Sequence, residues 1–177
     1  MHTPVVLCGF KRSPMHFANK GALAHVRPDD MAAKVISALL ESTSANAGDI
    51  EDLLMGCAFP EAEQGFNVAK IVGQIIGLPE SVAGATVNRF CGSSMTTIQM
   101  AAGYAQMNAG ELFIAAGVES MSRVPLGSAG AGGADADGIR RRYPEGLVNQ
   151  GVSAELIAAR WGLGRDELDA YAAQSHR

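Results

Sequence analysis

From Gly92 to Gly110 no residue carries a charge, yet Ser93, Ser94, Thr96, Thr97 and Gln99 make the stretch too polar to span a bilayer. Met95, Ile98, Met100, Ala101, Ala102 and Ala105 leave it no broad charged face, so it is expected to be a helix covered on more than one side. One sheet alone would leave such a helix half exposed. The run that follows, Leu112 to Val118, is almost continuously apolar, the pattern of a strand buried on both faces by layers of helix. Two covering layers are implied twice over.

The rest of the chain supplies elements for such a fold. Pro4 to Phe10 reads as a short apolar strand, and Pro28 opens a helix in which Met31, Val35 and Leu39 recur at helical spacing. Ile50 to Phe59 reads as a second strand, Asn67 to Ile76 as a helix, and Gly84 to Asn88 as a third strand. The alternation predicts an α/β fold with a mostly parallel mixed sheet covered by helices. Beyond Pro125 the texture changes, and Gly127 to Gly138 reads as a surface loop. Ser153 to Trp161 and Asp166 to His176 read as helices, the second with acidic residues in its first turn. The sequence stops inside that helix without a glycine cap, which is expected of an interrupted pattern.

Composition narrows the function classes. At 177 residues, 47% hydrophobic and 18% charged, the chain is long enough for one independent core, perhaps with an appendage. A net charge of −4 without a basic cluster of any extent argues against nucleic acid as a partner. Lys11 and Arg12 interrupt any signal-like stretch and no long apolar run follows, so a soluble, cytoplasmic protein with no membrane partner is expected. Cys8, Cys57 and Cys91 lie at wide spacings with no Cys-x-x-Cys or histidine pair, so no metal site is expected. Cys8 and Cys57 sit in short apolar runs, where a thiol behaves as a small buried hydrophobe.

Cys91 has a different setting. It falls between the strand end Val87-Asn88-Arg89-Phe90 and the helix start Gly92-Ser93-Ser94-Met95, where the macrodipole favours a thiolate. Gly92 lacks a side chain and would let a substrate carbonyl approach, and the backbone N–H groups of Cys91 and Gly92 are candidate donors to an oxyanion. That arrangement suits acyl transfer. The same spacing also suits a small buried residue that begins a close-packed helix.

Asn88-Arg89-Phe90-Cys91-Gly92-Ser93-Ser94 resembles the active-site cysteine segment of thiolases, and Ala116-Gly117-Val118-Glu119-Ser120-Met121-Ser122 resembles the Gly-x-Glu-Ser-Met-Ser segment of the same family. The resemblance runs from Arg12-Ser13-Pro14 to Gln150-Gly151-Val152-Ser153-Ala154-Glu155 and Ser175-His176-Arg177. It implies acyl transfer between coenzyme A thioesters, as 3-ketoacyl-CoA thiolysis or acetyl-CoA condensation. Cys91 would take the acyl group and pass it to coenzyme A or to an acetyl-CoA carbanion, with coenzyme A and acyl-CoA as substrates and no permanently bound cofactor. Ketoacyl synthases are a weaker match, because the Gly-x-Glu-Ser-Met-Ser segment points to thiolases.

The family's second half supplies a Gly-His-Pro histidine, a Cys-x-Gly-Gly-Gly cysteine and an Asn-Glu-Ala-Phe asparagine, none of which occurs in this sequence. Catalytic groups of this kind act as a unit, so the chain alone is expected to have negligible turnover. The resemblance accordingly implies residues 1–122 as the nucleophile-bearing core half and 123–177 as the beginning of the loop domain. The missing layer is expected from a C-terminal thiolase half or from a homo-oligomer, dimer or tetramer. The alternative is a catalytically inactive chain that serves as a dimerisation or acyl-CoA-binding module.

Other candidates are weaker. His2, His16, His25 and His176 lie in segments that read as termini, loops or helix surface, and none is assigned to catalysis. The glycine tract at Gly127 to Gly133 is followed by neither Gly-Lys-Ser/Thr nor the last glycine of a dinucleotide fingerprint. Among Arg140, Arg141 and Arg142, Arg141 is a candidate for the phosphates of coenzyme A, because the corresponding family region binds the cofactor; a basic loop is also commonly just solvated. Asn149 and Gln150 occupy a place that lines the substrate channel in thiolases, although polar residues before a helix also serve as caps.

Overall fold

The computed structural model describes residues 4–126, 137–143 and 149–177. The chain divides into two compact units, Met1–Ser128 and Ala129–Arg177. In the first, helix α1 (Pro28–Thr43) precedes strand β1 (Asp52–Gly56), helix α2 (Val68–Ile75), strand β2 (Ala83–Val87), helix α3 (Ser93–Gln106) and strand β3 (Phe113–Gly117). The three strands are parallel in the order β2-β1-β3, with Leu54 paired to Ala85 on one side and to Ala115 on the other. The parallel α/β architecture expected of the sequence is therefore present.

The connections explain the layers. The chain leaves β1 toward β2 through α2, then crosses back past β1 to β3 through α3, and right-handed crossovers in opposite directions place the two helices on opposite faces. Leu53, Met55 and Cys57 point to the α1–α2 side, where they form one cluster with Ile36, Val68, Val72 and Ile114. Leu53, Leu54 and Met55 are all fully buried, as the central strand requires, and burial of each side chain stabilises the fold by roughly 1.5–3 kcal/mol. Glycine permits close approach on both faces. A Cβ on Gly84 would stand 2.8 Å from the Lys70 nitrogen of α2, and one on Gly56 would stand 2.8 Å from the Ser94 Cα of α3.

One expectation is corrected. Residues 4–10 form no strand, and Val6 and Leu7 are exposed. An apolar run becomes a strand by finding a neighbouring edge and a face to bury, and this segment finds neither. As expected where the second layer must come from elsewhere, α3 and β3 are covered on one side only: Met95 and Ile98 are exposed, and of β3 Ile114 is buried but Ala115 is not. The buried side of α3 is its hydroxyl side. Ser93, Thr96 and Thr97 face inward, with the Thr96 hydroxyl donating to the Gly92 carbonyl (2.9 Å) and that of Thr97 to the Ser94 carbonyl (2.7 Å). The helix thus sits on the sheet through small satisfied polar groups and leaves its larger apolar side chains outward.

The second unit holds helices α4 (Asp137–Arg142), α5 (Gln150–Trp161) and α6 (Arg165–Ser175). Gly162 ends α5 in the left-handed region (φ 66°), with the Leu163 N–H returning to the Ala158 carbonyl at 2.9 Å. The Gly127 to Gly138 loop reading falls mostly outside the described residues. Among the described residues no helix is long and apolar enough to cross a membrane, and no group of three or more His, Cys, Asp or Glu residues could hold a metal ion.

Candidate functional site

The loops leaving the carboxyl ends of β1, β2 and β3 share one edge of the sheet, the edge at which open parallel sheets present their ligands. Cys91 lies in the loop after β2, in a single 3-10 turn (Phe90–Gly92) that runs directly into α3, and its side chain is exposed. It is therefore not the buried helix-starting residue that its spacing also allowed.

The turn is defined by its neighbours. The Asn88 carboxamide oxygen accepts the Phe90 N–H (2.9 Å), and the Ser93 hydroxyl accepts the Arg89 N–H (2.9 Å) while donating to the Phe90 carbonyl (2.6 Å). Phe90 is held at φ 44°, a left-handed conformation that is costly for a bulky residue. Its ring lies 6.0 Å from that of Phe59, tilted by 53°. Below the turn, Gly56 and Gly117 let the first turn of α3 approach the ends of β1 and β3. Cys91 is thus presented at the positive end of a helix of 14 residues. The Gly92 N–H already donates to the Arg89 carbonyl at 3.0 Å, so in this turn it would have to share its proton with an oxyanion.

Cys57 and Cys8 part company. Cys57 is buried, as expected, and burial together with the nearby Glu119 carboxylate pushes its thiol up to about 11. Cys8 is exposed, because its segment has no layer to pack into. It borders a cavity of about 580 Å³ with Phe10 and Thr43, and a second cavity of about 220 Å³ lies between Asn19, His25 and Arg123. Neither is lined by Cys91.

A buried polar network that was not singled out from the sequence ties the same edge together. Glu119 accepts the Ala58 N–H (2.7 Å) and the Gln64 side-chain amide (2.6 Å), and the Gln64 oxygen accepts the Ser120 N–H (2.7 Å). Gln64 is fully buried and also donates to the Phe59 carbonyl at 2.8 Å. Glu119 stands in the Gly-x-Glu-Ser-Met-Ser segment, which was the available signal; nothing local marked Gln64. Nearby, Arg27 pairs with Asp29 (2.7 Å) and Glu63 (3.1 Å), and Arg123 pairs with Glu63.

The remaining candidates belong to the second unit. Arg140, Arg141 and Arg142 form the last turn of α4 rather than a loop, and all three are exposed. The Asn149 carboxamide accepts the Gly151 N–H at 2.7 Å, the geometry of a helix N-cap, and Gln150 is the exposed first residue of α5.

With this geometry in place the comparisons with known proteins can be read. The family described as Thiolase, N-terminal domain matches residues 5–177. The chain belongs to the thiolase family. It is 40% identical over 177 residues to a 3-ketoacyl-CoA thiolase of Bacillus subtilis (strain 168), covering 100% of this chain and 44% of the relative. It is 36% identical over 174 residues to a 3-ketoacyl-CoA thiolase of Acinetobacter baumannii (strain AYE), again covering 44% of that protein. The chain therefore spans less than half the length of these thiolases. Among solved structures, the Bacillus anthracis acetyl-CoA acetyltransferase superposes with a TM-score of 0.63 at 29% identity, over 69% of this chain and 30% of that one.

Proposed function

We propose that this chain carries the acyl-accepting part of a coenzyme A thioester acyltransferase, with Cys91 as the nucleophile. The observation that carries the reading is the exposed Cys91 at the N-terminus of α3, in a turn of fixed hydrogen bonds. In the thiolytic direction the Cys91 sulfur adds to the 3-keto carbonyl of the substrate and the bond between C2 and C3 breaks. Acetyl-CoA leaves once its carbanion is protonated, and the acyl group passes from sulfur to the thiol of coenzyme A. Condensation is the reverse. The Cys91 N–H and the first turn of α3 are the proposed support for the oxyanion, and Arg141 the proposed contact to the phosphates of coenzyme A. Asn149 and Gln150 are the proposed polar groups of the substrate channel, the Asn149 carboxamide oxygen also capping α5.

Proton transfer at the keto oxygen and at the α-carbon falls to groups that this sequence lacks, so complete turnover is assigned to an assembly with the remaining part of a thiolase. The outward apolar face of α3, with Met95 and Ile98 exposed, is the proposed seat for that part. Two findings support it: the 44% coverage of the curated relatives and the absence of a second covering layer among the described residues. The test is mass spectrometry of the chain together with a C-terminal thiolase half after incubation with acetoacetyl-CoA, against a Cys91→Ser variant. An acetyl group on the Cys91 peptide supports the reading, and its absence counts against it.

A further inference from the structure

The turn that presents Cys91 holds Phe90 at φ 44°, a conformation that is strained for a residue with a Cβ and persists only when its surroundings over-determine it. Asn88 and Ser93 supply local hydrogen bonds from the same segment. Phe59 supplies a contact from another, since its ring packs on Phe90 from the loop after β1. Phe59 is in turn anchored by Gln64, whose amide nitrogen donates to the Phe59 carbonyl (2.8 Å) and to Glu119 (2.6 Å), with the Cys57 sulfur a longer partner at 3.4 Å. Glu119 and Ser120, just beyond β3, complete the clamp through the Ala58 N–H (2.7 Å) and the Gln64 oxygen (2.7 Å). The ends of β1 and β3 are thereby tied to the turn after β2 through one buried amide and one carboxylate.

We propose that Gln64 and Glu119 are positioning residues for the nucleophile: by fixing Phe59 against Phe90 they hold the turn in the geometry that directs Cys91 from the N-terminus of α3. The proposal rests on the reading of Cys91 as the nucleophile. A purely structural clamp would change stability and leave the reactivity of Cys91 untouched. A positioning clamp changes that reactivity in molecules that remain folded.

The test is the rate of iodoacetamide alkylation at Cys91 relative to Cys8 in the same molecule, read by peptide mass spectrometry across pH. Cys8 is exposed and so serves as an internal reference. Phe59→Leu and Gln64→Glu, the latter setting two carboxylates against each other, are expected to lower the ratio at least about threefold. The swap Gln64→Glu with Glu119→Gln restores the contact between residues 64 and 119 but leaves residue 64 with no proton for the Phe59 carbonyl, so the ratio is expected to stay at least about twofold below the parent. An unchanged ratio in folded Phe59→Leu protein overturns the proposal, and so does a folded swap that recovers the parent ratio without the donor to Phe59. Where Gln64→Glu does not fold by circular dichroism, the Phe59→Leu result decides, since that variant leaves the clamp intact. If acetoacetyl-CoA never acylates Cys91 while the alkylation ratio shifts as stated, the acyl-transfer reading has failed and the clamp stands.

Discussion

Gly56, the last residue of β1, lies directly under Ser94 in the first turn of α3, so that a Cβ at position 56 would stand 2.8 Å from the Ser94 Cα. Backbone cannot yield as a flexible side chain does. Gly56→Ala is therefore expected to destabilise the chain by about 1–3 kcal/mol through overpacking, and to lower Cys91 alkylation by lifting the helix that presents it. Gly103→Ala is the control. Nothing lies within 4 Å of a Cβ there, and the position is interior to α3, so a gain of about 0.5–1 kcal/mol is expected. Thermal unfolding checks both.

The three thiols should separate cleanly. With Cys57 buried and pushed up to about 11, only Cys8 and Cys91 are expected to react with a thiol reagent in the folded chain at about pH 8. All three should react in denaturant. Equal rates for the three in native buffer would contradict the burial of Cys57 against Gln64.

Glu63 and Asp52 are shifted in opposite directions and contribute to stability at opposite ends of the acid range. Arg123, hydrogen-bonded to Glu63, with Arg27 nearby, holds the Glu63 carboxyl below its usual range. Its folded value is lower than its unfolded one, so the gain is present above the unfolded pKa and is lost as pH falls through the folded pKa. Arg123→Gln should flatten that acid limb in a series of melts. Burial pushes the Asp52 carboxyl up, and its Oδ1 is buried without a hydrogen-bond partner among the described residues. Its ionisation therefore costs stability as pH rises through the folded pKa, and Asp52→Asn should raise the melting temperature near neutrality with no gain at about pH 3.

The outward face of α3 should make the isolated chain associate. Met95 and Ile98 are 62% and 45% exposed, one turn apart on the same face, which is unfavourable for a free monomer. Sedimentation velocity is expected to show concentration-dependent association that Met95→Glu with Ile98→Glu reduces. A monodisperse parent monomer would contradict the assignment of this face as a seat.

The regular elements were legible in the sequence because their patterns are local. Pro28 opens α1, Asn67 caps α2 through the Lys70 N–H, and the apolar run around Leu54 becomes the central strand. Cys91 was legible through the strand-to-helix punctuation around it. What failed depends on partners. Pro4 to Phe10 carries a strand pattern without a strand beside it, whereas the bare outer side of α3 was expected and only its inner hydroxyl side was not. Gln64 was illegible for a related reason: its partners Glu119 and Ser120 lie more than fifty residues away, so no spacing rule connects them.

The central claim, that Cys91 accepts the acyl group, is tested most directly by following acylation of the chain, assembled with a C-terminal thiolase half, by acetoacetyl-CoA with peptide-level mass spectrometry. The account predicts acetyl on the Cys91 peptide in at least about tenfold excess over the exposed Cys8, and none at that site in Cys91→Ser. Equal labelling of Cys8 and Cys91, or no labelling of Cys91, would contradict it.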